Sequence, residues 1–379
     1  MHVLIIPSWY FPYGTHEIGG RMIHHFASGM REEGIDARIL FADFSPSAPF
    51  LKKTSYSIEE GVPTWRTRQW FVPKFNSAMI YFWISKYARA IQEYILKAGK
   101  PDILHAQSYM AGLVCEEMHR LTNIPFVFTE RASSFITGNI PNRHSSFIRN
   151  SFDAATIITA VSPGLKSRLE QFTKKHIEVI PNFYDPTIFY PEPNIPKYKK
   201  FTWVSVGEPA RVKGLDLLIQ AFAKIKHRLT DIDMQLILID RIPEQQELMT
   251  LSQSLNIQND IVWKGLISQV EVAGILRQSH VLVSASRVET FGKTILEAQA
   301  CGLPVVATTT DGATYLMTSE DQGLMATINN VDSLYDAMSD MYWKYSTYDP
   351  QLILSHVESR FKKEIVLQQW KELYNNIAR

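Results

Sequence analysis

Short apolar runs recur along the chain, each followed by a turn and then an amphipathic stretch. Val3-Leu4-Ile5-Ile6 is the first, and comparable runs occupy 37–41, 101–107, 125–129, 155–160, 177–180, 201–206, 234–239, 261–264, 281–283 and 304–307. Runs this short, with little polar alternation, are the pattern of strands buried on both faces of a parallel sheet. Helical spacing fills the gaps. One helix opens at Ile18-Gly19-Gly20 and closes at Gly34, one starts near Ser77, and one is capped by Ser162 with Pro163 at its first position. Others run from about Leu215, over 332–343, and over 361–377, where Ile365, Trp370, Leu373 and Tyr374 form an apolar face. Strand and helix alternating through both halves predict an α/β protein of two doubly wound, Rossmann-like domains facing across a cleft. Residues 46–73 are polar and proline-bearing and fit a β-hairpin or a long loop. Pro191, Pro193 and Pro196, set among lysines, read as a linker, so the first domain is expected over 1–191 and the second over 192–355.

Composition narrows the class. The chain has 379 residues, more than one core usually supports, with 45% hydrophobic and 20% charged residues, as in ordinary globular proteins. A formal net charge of +1 argues against nucleic acid as a partner. Two cysteines, Cys115 and Cys301, offer neither a disulfide framework nor metal-ligand spacing. Met1-His2 leads straight into the first strand without a basic leader, and no apolar stretch approaches the ~20 residues that span a bilayer. A cytoplasmic protein is the expectation. Residues 70–97 are rich in aromatic and basic side chains, among them Trp70, Phe71, Tyr81, Phe82, Trp83, Lys86, Tyr87 and Arg89. They fit a core helix with a wet face, the commoner case, or a peripheral membrane-facing patch for a lipid-linked acceptor.

The candidate chemistry centres on 284–312. Glu289 falls in the loop after the run 281–283, Phe291-Gly292 lead into a helix ending near Cys301, and Glu297 lies on its second turn. Amides near Gly292, Lys293 and Thr294 could hold a phosphate or sugar oxygen at that helix N-terminus, and the carboxylates suit paired hydroxyls. A solvated loop charge and an ordinary helix glutamate are the alternative. Gly207 to Gly214 (GEPARVKG) place Arg211 and Lys213 between a strand and a helix, a natural diphosphate clamp. Gly19 and Gly20, between the first strand and its helix, suit either a phosphate approach or a tight turn. His105 and Gln107 end one strand and Glu130 and Arg131 another. A satisfied histidine and a simple ion pair are the plain readings of those two strand ends.

The string E-x7-E with F-G after the first Glu, E-A after the second and then C-G-x-P-V-V-A resembles the retaining glycosyltransferases of family 4, two-domain GT-B enzymes. The likeness extends over nearly the whole chain, strongest from Val204 to Gly323 and thinnest over 46–97. It implies that Glu289 contacts donor-sugar hydroxyls, that Phe291 and Gly292 lie by the sugar and phosphate, that Glu297 holds the ribose, and that Gly265 and Leu266 lie at the nucleobase. It further implies Lys213 and Arg211 on the diphosphate, Gly19 and Gly20 facing it, and His105 or Gln107 on the donor sugar. Trp9 (in S-W-Y-x-P), Glu130 and Arg131 fall on the acceptor side, and residues 356–379 form a helix crossing back to the first domain. Two positions depart from the family pattern: Glu208 replaces the usual arginine of the clamp, and Gln107 stands where a second histidine is common.

The implied activity is transfer of a hexose-type sugar from a UDP- or GDP-sugar to a glycan or lipid-linked acceptor, in polysaccharide biosynthesis. No prosthetic group or metal is expected. A non-catalytic sugar-nucleotide-binding partner is the alternative supported by Glu208 and Gln107. A GT-B epimerase or a small-molecule acceptor also stays open. A nicotinamide oxidoreductase is disfavoured because no G-x-G-x-x-G follows the first strand.

Overall fold

The computed structural model describes residues 1–11, 20–45, 48–71, 77–141, 144–207, 209–239 and 245–378. Two compact units result, Met1–Ile180 with Leu367–Arg379, and Pro181–Val366.

The first unit is built on an eight-stranded sheet. Its strands are β1 (His2–Pro7), β2 (Asp36–Ser45), β3 (Lys53–Glu59), β4 (Val62–Trp70), β5 (Ile103–Gln107), β6 (Phe126–Glu130), β7 (Ile157–Ala160) and β8 (Ile177–Val179). Their order is β3-β4-β2-β1-β5-β6-β7-β8, and β3 with β4 is the antiparallel pair. The hairpin resolves the uncertain 46–73 stretch. Glu60 and Gly61, at φ 45° and 83°, make the two-residue turn that matches strand twist, and β4 then lies parallel to β2. Helix Ser77–Ala98 buries Ile80, Ile84, Tyr87, Ile91 and Tyr94, one face at helical spacing. The Tyr87 hydroxyl pins it to the sheet, donating toward Pro7 O (3.1 Å) and Leu40 O (3.0 Å) and accepting from Ala42 N–H (3.1 Å). The aromatic stripe is therefore core on one side. Tyr81 and Phe82 remain exposed on the other.

Helix Lys363–Ile377 sends Trp370, Leu373 and Tyr374 into this same core, with Trp370 edge-on to Phe26 at 5.2 Å. The preceding helix, Pro350–Phe361, stays with the second unit. There Phe361 packs on Phe291 (5.8 Å) and Tyr315 (5.6 Å).

The second unit holds β9 (Phe201–Val206), β10 (Met234–Ile239), β11 (Ile261–Lys264), β12 (Val281–Ser284), β13 (Val305–Thr308) and β14 (Gly323–Ala326), all parallel in the order β11-β10-β9-β12-β13-β14. Strand order reverses between β9 and β12, which sets the loops leaving their carboxyl ends side by side at the switch point, the place where open α/β sheets take ligands. The second unit begins at Pro181, ahead of the proline-rich stretch within which the boundary was expected. Tyr184 N–H donates to Phe361 O (3.2 Å), Arg277 donates to Ile188 O (3.0 Å) and pairs with Glu192 (3.4 Å), and Tyr198 N–H donates to Gln278 O (2.9 Å). Those bonds bind the supposed linker to helices of the second unit. No helix among the described residues is long and apolar enough to cross a membrane.

Candidate functional site

In the second unit the loops after β9 and β12 meet at a charged pair. Gly207 ends the strand, and the short helical turn Ala210–Lys213 leads through Gly214 into helix Leu215–Arg228. Lys213 lays its stem over Gly207, where a β-carbon would come within 2.8 Å of its Cε. Its Nζ donates to Glu289 Oε2 at 2.7 Å. The two side chains are 19% and 13% exposed, so the pair is poorly screened yet reachable. The Glu289 carbonyl accepts from Gly312 N–H (2.9 Å), which fixes the loop.

A second set of bonds holds the two loops together. Arg287 N–H donates to Val212 O (2.8 Å), its Nη1 to Arg211 O (2.7 Å), and its Nη1 and Nη2 to the two carboxylate oxygens of Asp216 (2.8 Å each). Its Nε donates to Asn329 Oδ1 (2.7 Å). Arg287 holds the Asp216 carboxyl below the usual carboxylate range, the fork geometry outweighing burial. Neither residue was singled out from sequence. Asp216 as a first-turn acid beside the clamp was the one available signal.

Helix Lys293–Ala300 begins at Gly292, whose φ of 88° a side chain would strain, and no side chain caps it. Its first amides, those of Lys293 and Thr294, therefore carry the positive end of the helix dipole beside Glu289. On the next turn Glu297 is buried, with Lys293 Nζ 3.1 Å from its Oε1. The ammonium lies out of line for a hydrogen bond, and that oxygen has no hydrogen-bond partner among the described residues. Phe291 is wedged against Tyr315 and Phe361. Arg211 is exposed and enters the site's bonding through its carbonyl. Gly265 and Leu266 follow β11, exposed and half-buried, with β10 and β9 between them and β12. Glu208 lies outside the described residues.

The residues expected in the first unit fare differently. His105 is fully buried. Arg131 Nε donates to Gln107 Oε1 (3.0 Å), so Gln107 presents its Nε2 as donor to His105 Nε2 (2.9 Å), where Thr129 Oγ1 also lies at 2.6 Å. The ring proton then sits on Nδ1, which donates to the Tyr374 hydroxyl (2.6 Å). Burial pushes this imidazole well below its ordinary pKa, with the Arg131 charge adding in the same direction. His105, expected on the donor sugar, is thus a neutral, fully partnered core residue in this structure. Gln107 is buried as well and spends both ends of its amide on His105 and Arg131.

Glu130 is also turned inward. It accepts from Tyr109 N–H (3.0 Å), Arg131 N–H (2.8 Å) and Ala132 N–H (2.8 Å), while burial pushes its carboxyl up to about 7. It braces the loop that follows β6. Arg131, half-buried at the end of the Tyr374-His105-Gln107 chain, is the member of that group with a surface. Trp9 is exposed beside Ser8, whose Oγ accepts from Ala111 N–H (3.0 Å). Gly20 precedes helix Arg21–Glu32 at φ 84°, and Gly19 lies outside the described residues.

Known proteins match this chain in sequence family and in fold. Residues 19–188 match the family model described as Glycosyltransferase Family 4, and residues 189–347 that of Glycosyl transferases group 1. The N-acetyl-alpha-D-glucosaminyl L-malate synthase of Bacillus anthracis is 24% identical over 294 residues, covering 73% of this chain and 75% of its own. Sucrose-phosphate synthase from Thermosynechococcus elongatus superposes with a TM-score of 0.82 at 19% identity, over 100% of this chain and 99% of that one. Anabaena HepE in complex with UDP and glucose gives 0.77 at 16% identity, over 99% and 100%. At these identities the structures speak for the fold, GT-B, and the matched family models speak for the class of enzyme. With the two matches abutting at 188 and 189 and the E-x7-E loop in the second of them, the chain belongs to glycosyltransferase family 4.

Proposed function

We propose that the protein moves a hexose-type sugar from a nucleoside-diphosphate sugar to a glycan or lipid-linked acceptor, with retention at the anomeric carbon. The observation that carries this is the Lys213–Glu289 pair beside the uncapped N-terminus of helix Lys293–Ala300, with buried Glu297 one turn on. Lys213 and the helix amides meet the diphosphate charge that grows as the bond from C1 to the phosphate oxygen breaks. Glu289 accepts from sugar hydroxyls and Glu297 from the ribose, which fixes C1 for attack. The acceptor oxygen bonds to C1 on the face the phosphate leaves, and its proton passes to a departing phosphate oxygen. No side-chain base is required. A fold neighbour binds UDP and glucose, which favours a UDP-sugar over a GDP-sugar.

Exposed Phe50, Trp70, Tyr81 and Phe82, with Lys86 Nζ 5.0 Å over the Phe82 ring, support peripheral membrane contact and hence a lipid-linked acceptor in polysaccharide assembly. The fully engaged Gln107 favours a second reading, a sugar-nucleotide binder without transfer activity. Thermal-shift titration with UDP-, GDP- and ADP-sugars tests the first part, since a ligand of the native state raises its melting temperature. The shift is expected with one base and lost in Lys213→Ala and Glu297→Ala. A folded protein that no nucleotide stabilises would refute the proposal, and stabilisation without turnover would leave the binder.

A further inference from the structure

We infer that Glu289 is an internal competitor for Lys213, by which the site favours a nucleoside diphosphate bearing a sugar over the bare nucleoside diphosphate. This rests on the donor-site reading above. Nζ and Oε2 stand 2.7 Å apart and largely buried, and Lys213 is the one hydrogen-bond donor to that carboxylate among the described residues. The lysine stem is seated on Gly207, with Nζ 3.5 Å from where a β-carbon there would lie, so a bare glycine is what lets the ammonium reach Glu289 along this path.

A diphosphate reaching Nζ must therefore share it with Glu289. An ammonium has three protons and can touch both, but carboxylate and phosphate then lie within ~5 Å of each other in a weakly screened place, where like charges repel strongly. A sugar on the diphosphate removes the conflict. Its hydroxyls donate to Glu289, which no longer depends on Lys213, and the ammonium turns wholly to the phosphate. A bare diphosphate brings no such donors and leaves the repulsion standing. The same carboxylate that orients the donor thus loosens the product once the sugar has gone.

Calorimetric titration of the whole protein with UDP and with UDP-glucose, or with GDP and GDP-mannose where the uridine pair is silent, tests this. In Glu289→Gln the bare diphosphate is expected to bind about tenfold tighter and the sugar nucleotide no tighter, so the preference for the sugar collapses. The gain should vanish when Lys213→Gln is added, because it acts through the ammonium. Glu289→Asp, which draws the carboxylate back by one carbon, should give a smaller gain and serves if the glutamine variant does not fold. Unchanged or weaker diphosphate binding in both variants, with wild type binding the sugar nucleotide, overturns the inference and spares the transferase reading. Failure of wild type to bind either pair overturns both.

Discussion

Replacing His105 by alanine separates a core histidine from a substrate contact. Three losses add up. The imidazole leaves a fully enclosed space bounded by Phe26 and Trp370, the Tyr374 hydroxyl loses its partner at 2.6 Å, and Gln107 Nε2 loses its acceptor. Thr129 keeps a hydroxyl partner in Thr159 at 2.8 Å. Truncating a buried side chain costs about 2–5 kcal/mol, and each stranded polar group about 1–3 kcal/mol before any relaxation or entering water. About 4 kcal/mol is a fair net figure. For a unit of this size, each kcal/mol is worth about 2–4 °C, so the transition reporting the first unit should fall by about 10 °C. Scanning calorimetry reads the shift. Turnover, measured well below the new midpoint with the nucleotide sugar that stabilises wild type, should change less than about threefold. A midpoint within about 2 °C of wild type together with a hundredfold loss of rate would mean that the imidazole meets substrate, and the core assignment would be wrong. Tyr374→Phe is the milder companion, removing one hydrogen bond and no volume, at about 1 kcal/mol.

Two further outcomes follow from described contacts. The cost of His105→Ala should shrink as pH falls below about 6.5, because the folded protein keeps neutral an imidazole that the unfolded chain protonates; stability present above that pH is lost below it, by at most about 1.4 kcal/mol per pH unit. Glu116 and Glu130, pushed up to about 7 by burial, act in the opposite sense but are common to both proteins and cancel in the difference, so urea midpoints of the pair at about pH 7 and about pH 5.5 isolate the histidine; a constant difference would sink the assignment. Arg287→Lys, which cannot span both Asp216 oxygens and the Arg211 carbonyl, should cost only about 1 kcal/mol of stability at so exposed a pair, yet weaken nucleotide binding about fivefold by loosening the turn that aims Lys213. Unaltered nucleotide affinity in that variant would show that the clamp does not position the lysine.

What was legible in the chain was whatever depends on neighbours in sequence. The apolar runs became β1, β5, β6, β9, β10, β12 and β13 because burial on both faces leaves no polar alternation to misread. The stretch from Ser284 to Glu297 was found because its two carboxylates, aromatic and glycine lie within one short string. The Lys213–Glu289 pair joins residues 76 positions apart, and no local pattern encodes such a meeting. His105 shows the same limit. Strand alternation puts it on one face with Gln107, but that face is sealed by Trp370 and Tyr374, the latter 269 positions away, so a strand-end histidine that looked available is enclosed. The hairpin could not be told from a long loop because Glu60-Gly61 is a weaker turn signal than Asn-Gly, and the proline stretch read as a free linker because prolines report a stiff segment without saying what it packs on.

The first unit is assembled from both ends of the chain, with Pro181–Val366 between them. During synthesis the core around Phe26 and His105 is made early but cannot close until the segment carrying Trp370 and Tyr374 has been translated, after the whole second unit. The contiguous second unit is free to fold first, while the earlier-made half waits with an apolar face uncovered. Ribosomal pausing or truncation shortly before Leu367 should therefore expose the amino-terminal half, the part made first, to chaperones and proteases.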